Sequence, residues 1–193
     1  LVEAAKRAPK DTIVVTDVGQ HQMWTAQYYP IEQPRTLCTS GGLGTMGYGL
    51  GAAIGAAKAT GKHVILVTGD GCFNMNLNEL STAVSHELPI TILLMNNHAL
   101  GMVRQWQKLF YNSRFSQTDV RKRTDYVKFA QSFGATGLFI EKSEDVAPVL
   151  DKALSVQGPV VVDCRISNDE NVLPMIKPGH TYDTIITDWE ARK

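Results

Sequence analysis

Short runs rich in β-branched residues recur along the chain, each separated from the next by a stretch with helical character. The runs at 12–16 (TIVVT), 35–39, 63–68 (HVILVT), 90–95 (ITILLM), 136–140 and 160–166 read as strands. Helices are predicted at 21–29, 47–60, 76–87, 101–111, 124–133 and 143–156, and the opening LVEAAKRAPK reads as helical too. A strand that is apolar along its whole length has no face to give to water, so helices must cover both sides of the sheet it joins. The pattern therefore predicts an α/β fold, a three-layer doubly wound, mostly parallel sheet of about six strands with helices on both faces. Ligands of such sheets bind beyond the carboxyl ends of the strands, and functional residues are sought there.

At 193 residues the chain is the size of one domain and long enough to bury a real core. Nineteen basic residues balance nineteen acidic ones, which gives no electrostatic reason to expect nucleic acid or an anionic membrane as partner. The apolar runs are too short to span a bilayer. Cys38, Cys72 and Cys164 are widely spaced and form no C-x-x-C pair. That argues against a disulfide framework or a zinc site and favours a reducing compartment, cytoplasmic or an organelle stroma or matrix. No signal peptide is visible. The chain opens without a methionine, which reads as one domain of a longer protein. Residues 1–166 form that domain. The segment 167–193 (opening SNDENVLPMIKPGHTYD) is an irregular tail with two prolines, either covering a site or hanging as a loose end.

The stretch GGLGTMGYGLGAAIG at 41–55 contains G-x-G-x-x-G at Gly42, Gly44 and Gly47, and the acid Asp70 ends the following strand. This is the pattern of a nicotinamide or flavin site. It is equally the pattern of small residues that let a helix lie close to a sheet. The surroundings of Asp70 point elsewhere. It sits in Gly69-Asp70-Gly71 after one apolar strand, and the next strand ends in Asn96-Asn97. A carboxylate and a neutral oxygen at adjacent strand ends are the protein's share of a Mg²⁺ site whose other ligands are phosphate oxygens. No lysine or arginine occurs between Lys62 and Arg104, so a diphosphate here needs a cation and the backbone N–H groups of helix starts after Gly71 and around Gly101. GAAKATGKH, from Gly55, has the wrong spacing for a Walker A loop and lacks the hydroxyl residue after its lysine.

GDGCFNMNLNELSTAVSHELPITILLMNN resembles the thiamin-diphosphate/Mg²⁺ motif of thiamin-dependent enzymes. DVGQHQMWTAQYY, SGGLGTMGYGLGAAIG, LGMVRQWQKLFY and NVLPMIKPG narrow the resemblance to the catalytic subunits of acetohydroxyacid (acetolactate) synthases. It covers nearly the whole chain but only about the last third of that three-domain family.

The resemblance implies that Asp70 and Asn97 ligate Mg²⁺ together with the Ala99 carbonyl. Gly69, Gly71 and Cys72 would meet the diphosphate from one side, and Gly101 and Met102 from the other. Val18, Gly19, Gln20 and His21 would supply a second set of contacts; otherwise Gln20 and His21 are helix-start residues open to water. Gly44 and Met46 would hold the aminopyrimidine, Met46 supporting the bent shape of the cofactor. Met102, Val103, Trp106 and Phe110 recur on one helical face. Such a stripe is core packing unless, as the resemblance implies, Val103 and Trp106 line the substrate pocket. Glu79, His63 and His86 read as scaffold or surface.

The reaction implied is decarboxylation of pyruvate and transfer of the two-carbon unit to pyruvate or 2-ketobutyrate, giving acetohydroxyacids for branched-chain amino acids. The activating glutamate would lie in an N-terminal pyrimidine-binding domain of a neighbouring subunit, and FAD in a middle domain, neither of which resembles any segment here. No catalytic residue is therefore assigned in this chain. Partners implied are small 2-keto acids, further copies of the chain in a homo-oligomer, and a regulatory subunit. A pyruvate oxidase, a glyoxylate carboligase and a non-catalytic flavin- or dinucleotide-binding module are the competing readings.

Overall fold

The computed structural model describes residues 1–120 and 124–188. In chain order the elements are α1 (Val2–Arg7), β1 (Ile13–Thr16), α2 (Gln20–Tyr28), β2 (Leu37–Thr39), α3 (Tyr48–Thr60), β3 (Val64–Gly69), α4 (Asp70–Asn76), α5 (Leu80–Ser85), β4 (Ile90–Asn96), α6 (Gly101–Phe110), α7 (Tyr126–Ser132), β5 (Thr136–Ile140), α8 (Ser143–Ser155) and β6 (Val160–Arg165). The strands form one sheet in the order β2-β1-β3-β4-β6-β5. Every pairing in it is parallel.

The apolar strands explain the layers. Because successive side chains point to opposite faces, Val64 and Leu66 of β3 join one core and Ile65 and Val67 the other. The first core takes in α3 through Leu50, Ala53 and Ala57, α4 and α5 through Phe73, Leu80 and Ala83, and α7 through Tyr126 and Ala130. The second takes in α1 through Ala4 and α8 through Leu150 and Ala153. The three-layer α/β sandwich predicted from strand apolarity is thus the one observed.

From β1 the chain moves outward to β2, then returns to the other side of β1 for β3 and continues to β4. The order therefore reverses between β1 and β3, and a crevice opens beyond their carboxyl ends, where α/β sheets bind ligands.

One element departs from its predicted bounds. A single helix over 76–87 is predicted, yet α4 already starts at Asp70, runs to Asn76 and gives way to a tight 3₁₀ turn at Leu77–Glu79 before α5. The two glycines of Gly69-Asp70-Gly71 lower helix propensity, but packing overrides it. Phe73 is buried with its ring edge-to-face against Tyr126 (6.0 Å) and Phe129 (6.1 Å). The helix breaks where Asn76 Nδ2 turns aside to donate to the Gly47 carbonyl at 2.6 Å.

The tail is no loose end over 167–188. Val172 and Ile186 are buried, and Met175 bridges Ile186 in an antiparallel pair. Among the described residues no helix is long and apolar enough to cross a membrane.

Candidate functional site

Three helices begin at the carboxyl edge of the sheet: α2 at Gln20 after β1, α4 at Asp70 after β3, and α6 at Gly101 after β4. None of the three has a side-chain cap on its first turn. Their leading N–H groups, which have no partner within their own helices, converge with three positive dipole ends on one cleft.

Parallel pairing of β3 and β4 sets Gly69 beside Met95, which carries Asp70 and Asn97 to neighbouring corners of that cleft. Both are nearly buried, with Asp70 3 % and Asn97 7 % exposed. The turn behind Asn97 is fixed by several bonds. The Ala99 N–H donates to Asn97 Oδ1 (3.0 Å), His98 takes a left-handed conformation at φ 55°, and Val120 N–H donates to the His98 carbonyl (3.0 Å). The Leu100 N–H donates to the Thr118 carbonyl, and Ala99 bridges Asp119.

Val18, Gly19, Gln20, His21 and Met46 line the cleft from the β1 side, and Gly69, Gly71 and Cys72 form its floor with Asp70. Ala99, Gly101, Met102 and Val103 close it with Asn97. The Cys72 thiol donates to the Val18 carbonyl (3.1 Å), and desolvation first, with the nearby Asp17 charge second, pushes its pKa up to about 12. It is a packed, protonated group rather than a nucleophile.

Gln20 and His21 are not open to water: both are buried. The His21 imidazole packs so close to Gly19 and Gly69 that a Cβ on either glycine would lie 3.0 Å from the ring. Its Nε2 is buried without a partner, and desolvation drives its pKa down to about 3, so the ring is neutral. Gly101 is required by a close approach: a Cβ there would stand 2.0 Å from Gln20 Oε1 and 2.7 Å from Asn97 Nδ2.

The glycine stretch lies elsewhere than a dinucleotide loop would. It follows β2, an edge strand, rather than a strand at the reversal of order. Of its residues Met46 reaches the cleft. Gly44 stands behind it, where a Cβ would touch Val18 at 3.7 Å. The loop is anchored by Asp17, a buried carboxylate that accepts from the Gly47 N–H (2.8 Å) and the Thr68 hydroxyl (3.0 Å). Burial raises the Asp17 pKa against the pull of these bonds.

The apolar stripe on α6 is not core. Val103 and Trp106 are exposed, and Trp106 meets Phe110 edge-to-face at 5.6 Å. Met102, Val103 and Trp106 form, with Gln107, Tyr111 and Arg114, a hollow that shares Met102 and Val103 with the cleft. Residues not picked out in the sequence also line the cleft: Trp24, Met95, Leu100 and Ile166. Trp24 had a signal, since it lies one turn beyond Gln20 on the same face of α2.

Residues 17–164 match the protein family described as thiamine pyrophosphate enzyme, C-terminal TPP binding domain. The chain belongs to this family. It is 44 % identical over 180 residues to the acetolactate synthase isozyme 2 large subunit of Escherichia coli, covering 93 % of this chain and 33 % of that protein. Over 166 residues it is 47 % identical to the acetolactate synthase large subunit of Cyanidium caldarium (85 % and 28 %). Over 187 residues it is 44 % identical to the mitochondrial acetolactate synthase catalytic subunit of Saccharomyces cerevisiae (96 % and 27 %). The chain thus spans about a third or less of the length of these relatives.

The cleft of this TPP-binding domain suits thiamin diphosphate on its own chemistry. Among the described residues its lining includes no lysine or arginine, so an anionic group there rests on the three uncapped helix starts. The unpartnered Nε2 of His21 is an orphan that a ligand atom would satisfy. Asp70 and Asn97 offer hard oxygens where a counter-cation is needed.

Proposed function

We propose that this chain is the cofactor-binding part of a thiamin-diphosphate-dependent carboligase, an acetolactate synthase, that decarboxylates pyruvate and joins the two-carbon unit to pyruvate or 2-ketobutyrate. The observation that carries the reading is the placing of Asp70 and Asn97 at adjacent strand ends, between the uncapped starts of α4 and α6, in a cleft whose described lining includes no lysine or arginine. The likeness to acetolactate synthase large subunits supports the choice of reaction.

Bound thiamin diphosphate supplies the reactive carbon at which a 2-keto acid loses carbon dioxide. The chain's residues hold and shield it. Asp70, the Asn97 side-chain oxygen and the Ala99 carbonyl hold Mg²⁺ against the diphosphate. The N–H groups of Gly71, Cys72, Gly101 and Met102 bind its oxygens, and Val18, Gly19, Gln20 and His21 close its other flank, with Gly69 beneath. Gly44 and Met46 seat the pyrimidine ring. Val103 and Trp106, exposed beside the cleft, line the path of the second 2-keto acid. A neighbouring subunit covers the open side with a pyrimidine-binding domain, the assembly is a homo-oligomer served by a regulatory subunit, and FAD occupies another domain. Residues 167–188 border the site as a cover.

Calorimetric titration tests the reading. Thiamin diphosphate is expected to bind only with Mg²⁺, and Asp70→Ala to abolish that binding. Metal-independent binding of NAD or FAD would replace the reading with a nucleotide-binding module. Product analysis of the intact protein separates acetohydroxyacid formation from pyruvate oxidation and glyoxylate carboligation.

A further inference from the structure

A buried chain of amides joins the tail to the metal corner of the cleft. Gln105, in the middle of α6, is 2 % exposed. Its Oε1 accepts from the Val172 N–H (2.8 Å), and its Nε2 donates to the Val172 carbonyl (2.9 Å), so both peptide groups of one tail residue are clasped. The same Oε1 accepts a second bond from Gln20 Nε2 (2.8 Å), which also donates to the Glu170 carbonyl (2.8 Å). Gln20 Oε1 in turn accepts from Asn97 Nδ2 (3.4 Å).

A primary amide has one donating end and one accepting end, so each bond in this chain fixes which way round the next amide stands. Backbone groups, whose polarity cannot change, set both ends. The Val172 N–H and carbonyl allow Gln105 a single orientation, with Oε1 toward Gln20. Gln20, held the same way round by the Glu170 carbonyl, donates to Gln105 and presents its oxygen to Asn97. Asn97 must donate to Gln20, which directs its own oxygen to the opposite side, where the Ala99 N–H also requires an oxygen. An Asn97 amide turned the other way would present an NH₂ group, which cannot ligate a cation.

We propose that Gln105 is a positioning residue that transmits the seating of the tail at Val172 into the amide orientation of Asn97, so that tail docking and cation binding at the cleft are coupled. The proposal rests on the reading of Asp70 and Asn97 as metal ligands. Coupling of this kind is reciprocal: whatever tail docking adds to cation affinity, the bound cation adds to tail docking.

The test uses the intact protein with Mg²⁺ and thiamin diphosphate as probes. In the wild type, the two together are expected to slow hydrogen exchange at the Val172 amide by about tenfold, within the usual range of coupling between sites. In Gln105→Met, which keeps the bulk but neither polar end, the Mg²⁺ midpoint at fixed thiamin diphosphate is expected to rise by about tenfold. The protection of Val172 should then no longer respond to the ligands, a readout separate from the lower melting temperature that the unpaired Val172 peptide groups impose on the metal-free variant. A metal-free protein merely weakened in its fold would lower that melting temperature without moving the Mg²⁺ midpoint, and this result overturns the proposal. So does a wild-type Val172 amide indifferent to bound ligands, a measurement that decides the matter even if the variant fails to fold. Absence of any Mg²⁺-dependent thiamin diphosphate binding in the wild type would instead overturn the underlying reading of the site.

Discussion

His21 shows what a single side chain contributes when two loops close over it. Its ring fills the space between Gly19 and Gly69, out of contact with water. An imidazole titrates near pH 6.5 in the unfolded chain, whereas in the fold desolvation lowers it to about 3. The folded state therefore binds fewer protons between these limits, and stability is lost as pH falls through that window. At pH 5 the loss attributable to His21 is about 2 kcal/mol. Urea denaturation at pH 7 and pH 5 should show the wild type losing that much more stability than His21→Gln. An equal loss in both would mean that the ring is solvated. The sequence shows a histidine at a helix start and nothing of its burial, because the residues that enclose it arrive from a strand end far along the chain. Gln105 is hidden for the same reason: its partners Val172 and Gln20 lie on segments distant in sequence. Asp70 and Asn97 were legible, because each follows directly from a recognisable strand.

At the scale of elements, apolar runs and helical periodicity place the strands and most of the helices correctly. The exception is instructive. Residues 70–76 fall ahead of the predicted helix at 76–87, and their helix is held by the burial of Phe73 among the aromatic rings of α7, which local sequence does not encode. Helix α7 is itself pressed onto the sheet at β5. A Cβ at Gly137 would lie 2.4 Å from the Val127 carbonyl oxygen and 2.9 Å from its Cα, both backbone atoms that cannot rotate aside. Gly137→Ala should therefore force α7 off β5 and destabilise the fold by about 1–3 kcal/mol, the usual range for overpacking. Thermal or urea denaturation measures it. Because β5 is the edge strand farthest from β1 and β3, Mg²⁺-dependent thiamin diphosphate affinity in the folded variant should stay within about twofold of the wild type. A variant as stable as the wild type would show that α7 has room to move.

For the molecule as a whole, sheet order converts separate motifs into one site. Strand order cannot be read from periodicity, yet it is what sets β1, β3 and β4 side by side and leaves the glycine stretch on an edge strand. The completed cleft is better equipped to hold a cofactor than to move protons. Among the described residues Asp70 is the only carboxylate in its lining, and it is committed to the metal in the proposed reading. The histidine there is kept neutral by burial. The thiol of Cys72 stays protonated, with its pKa near 12. General acid–base work needs a group whose pKa lies near the working pH, and none of these qualifies. Beside the loop that carries Met46, the apolar side chains of Leu43, Tyr48 and Met75 are exposed, a surface suited to being covered by another domain. The 193-residue chain on its own is therefore expected to bind thiamin diphosphate with Mg²⁺, more weakly than the intact protein does, and to release neither carbon dioxide nor acetolactate from pyruvate. Calorimetry and a product assay on the same preparation check both halves. Turnover by the isolated chain would mean that a proton-transferring group sits in this cleft after all, and would put His21 or a second role for Asp70 first in line.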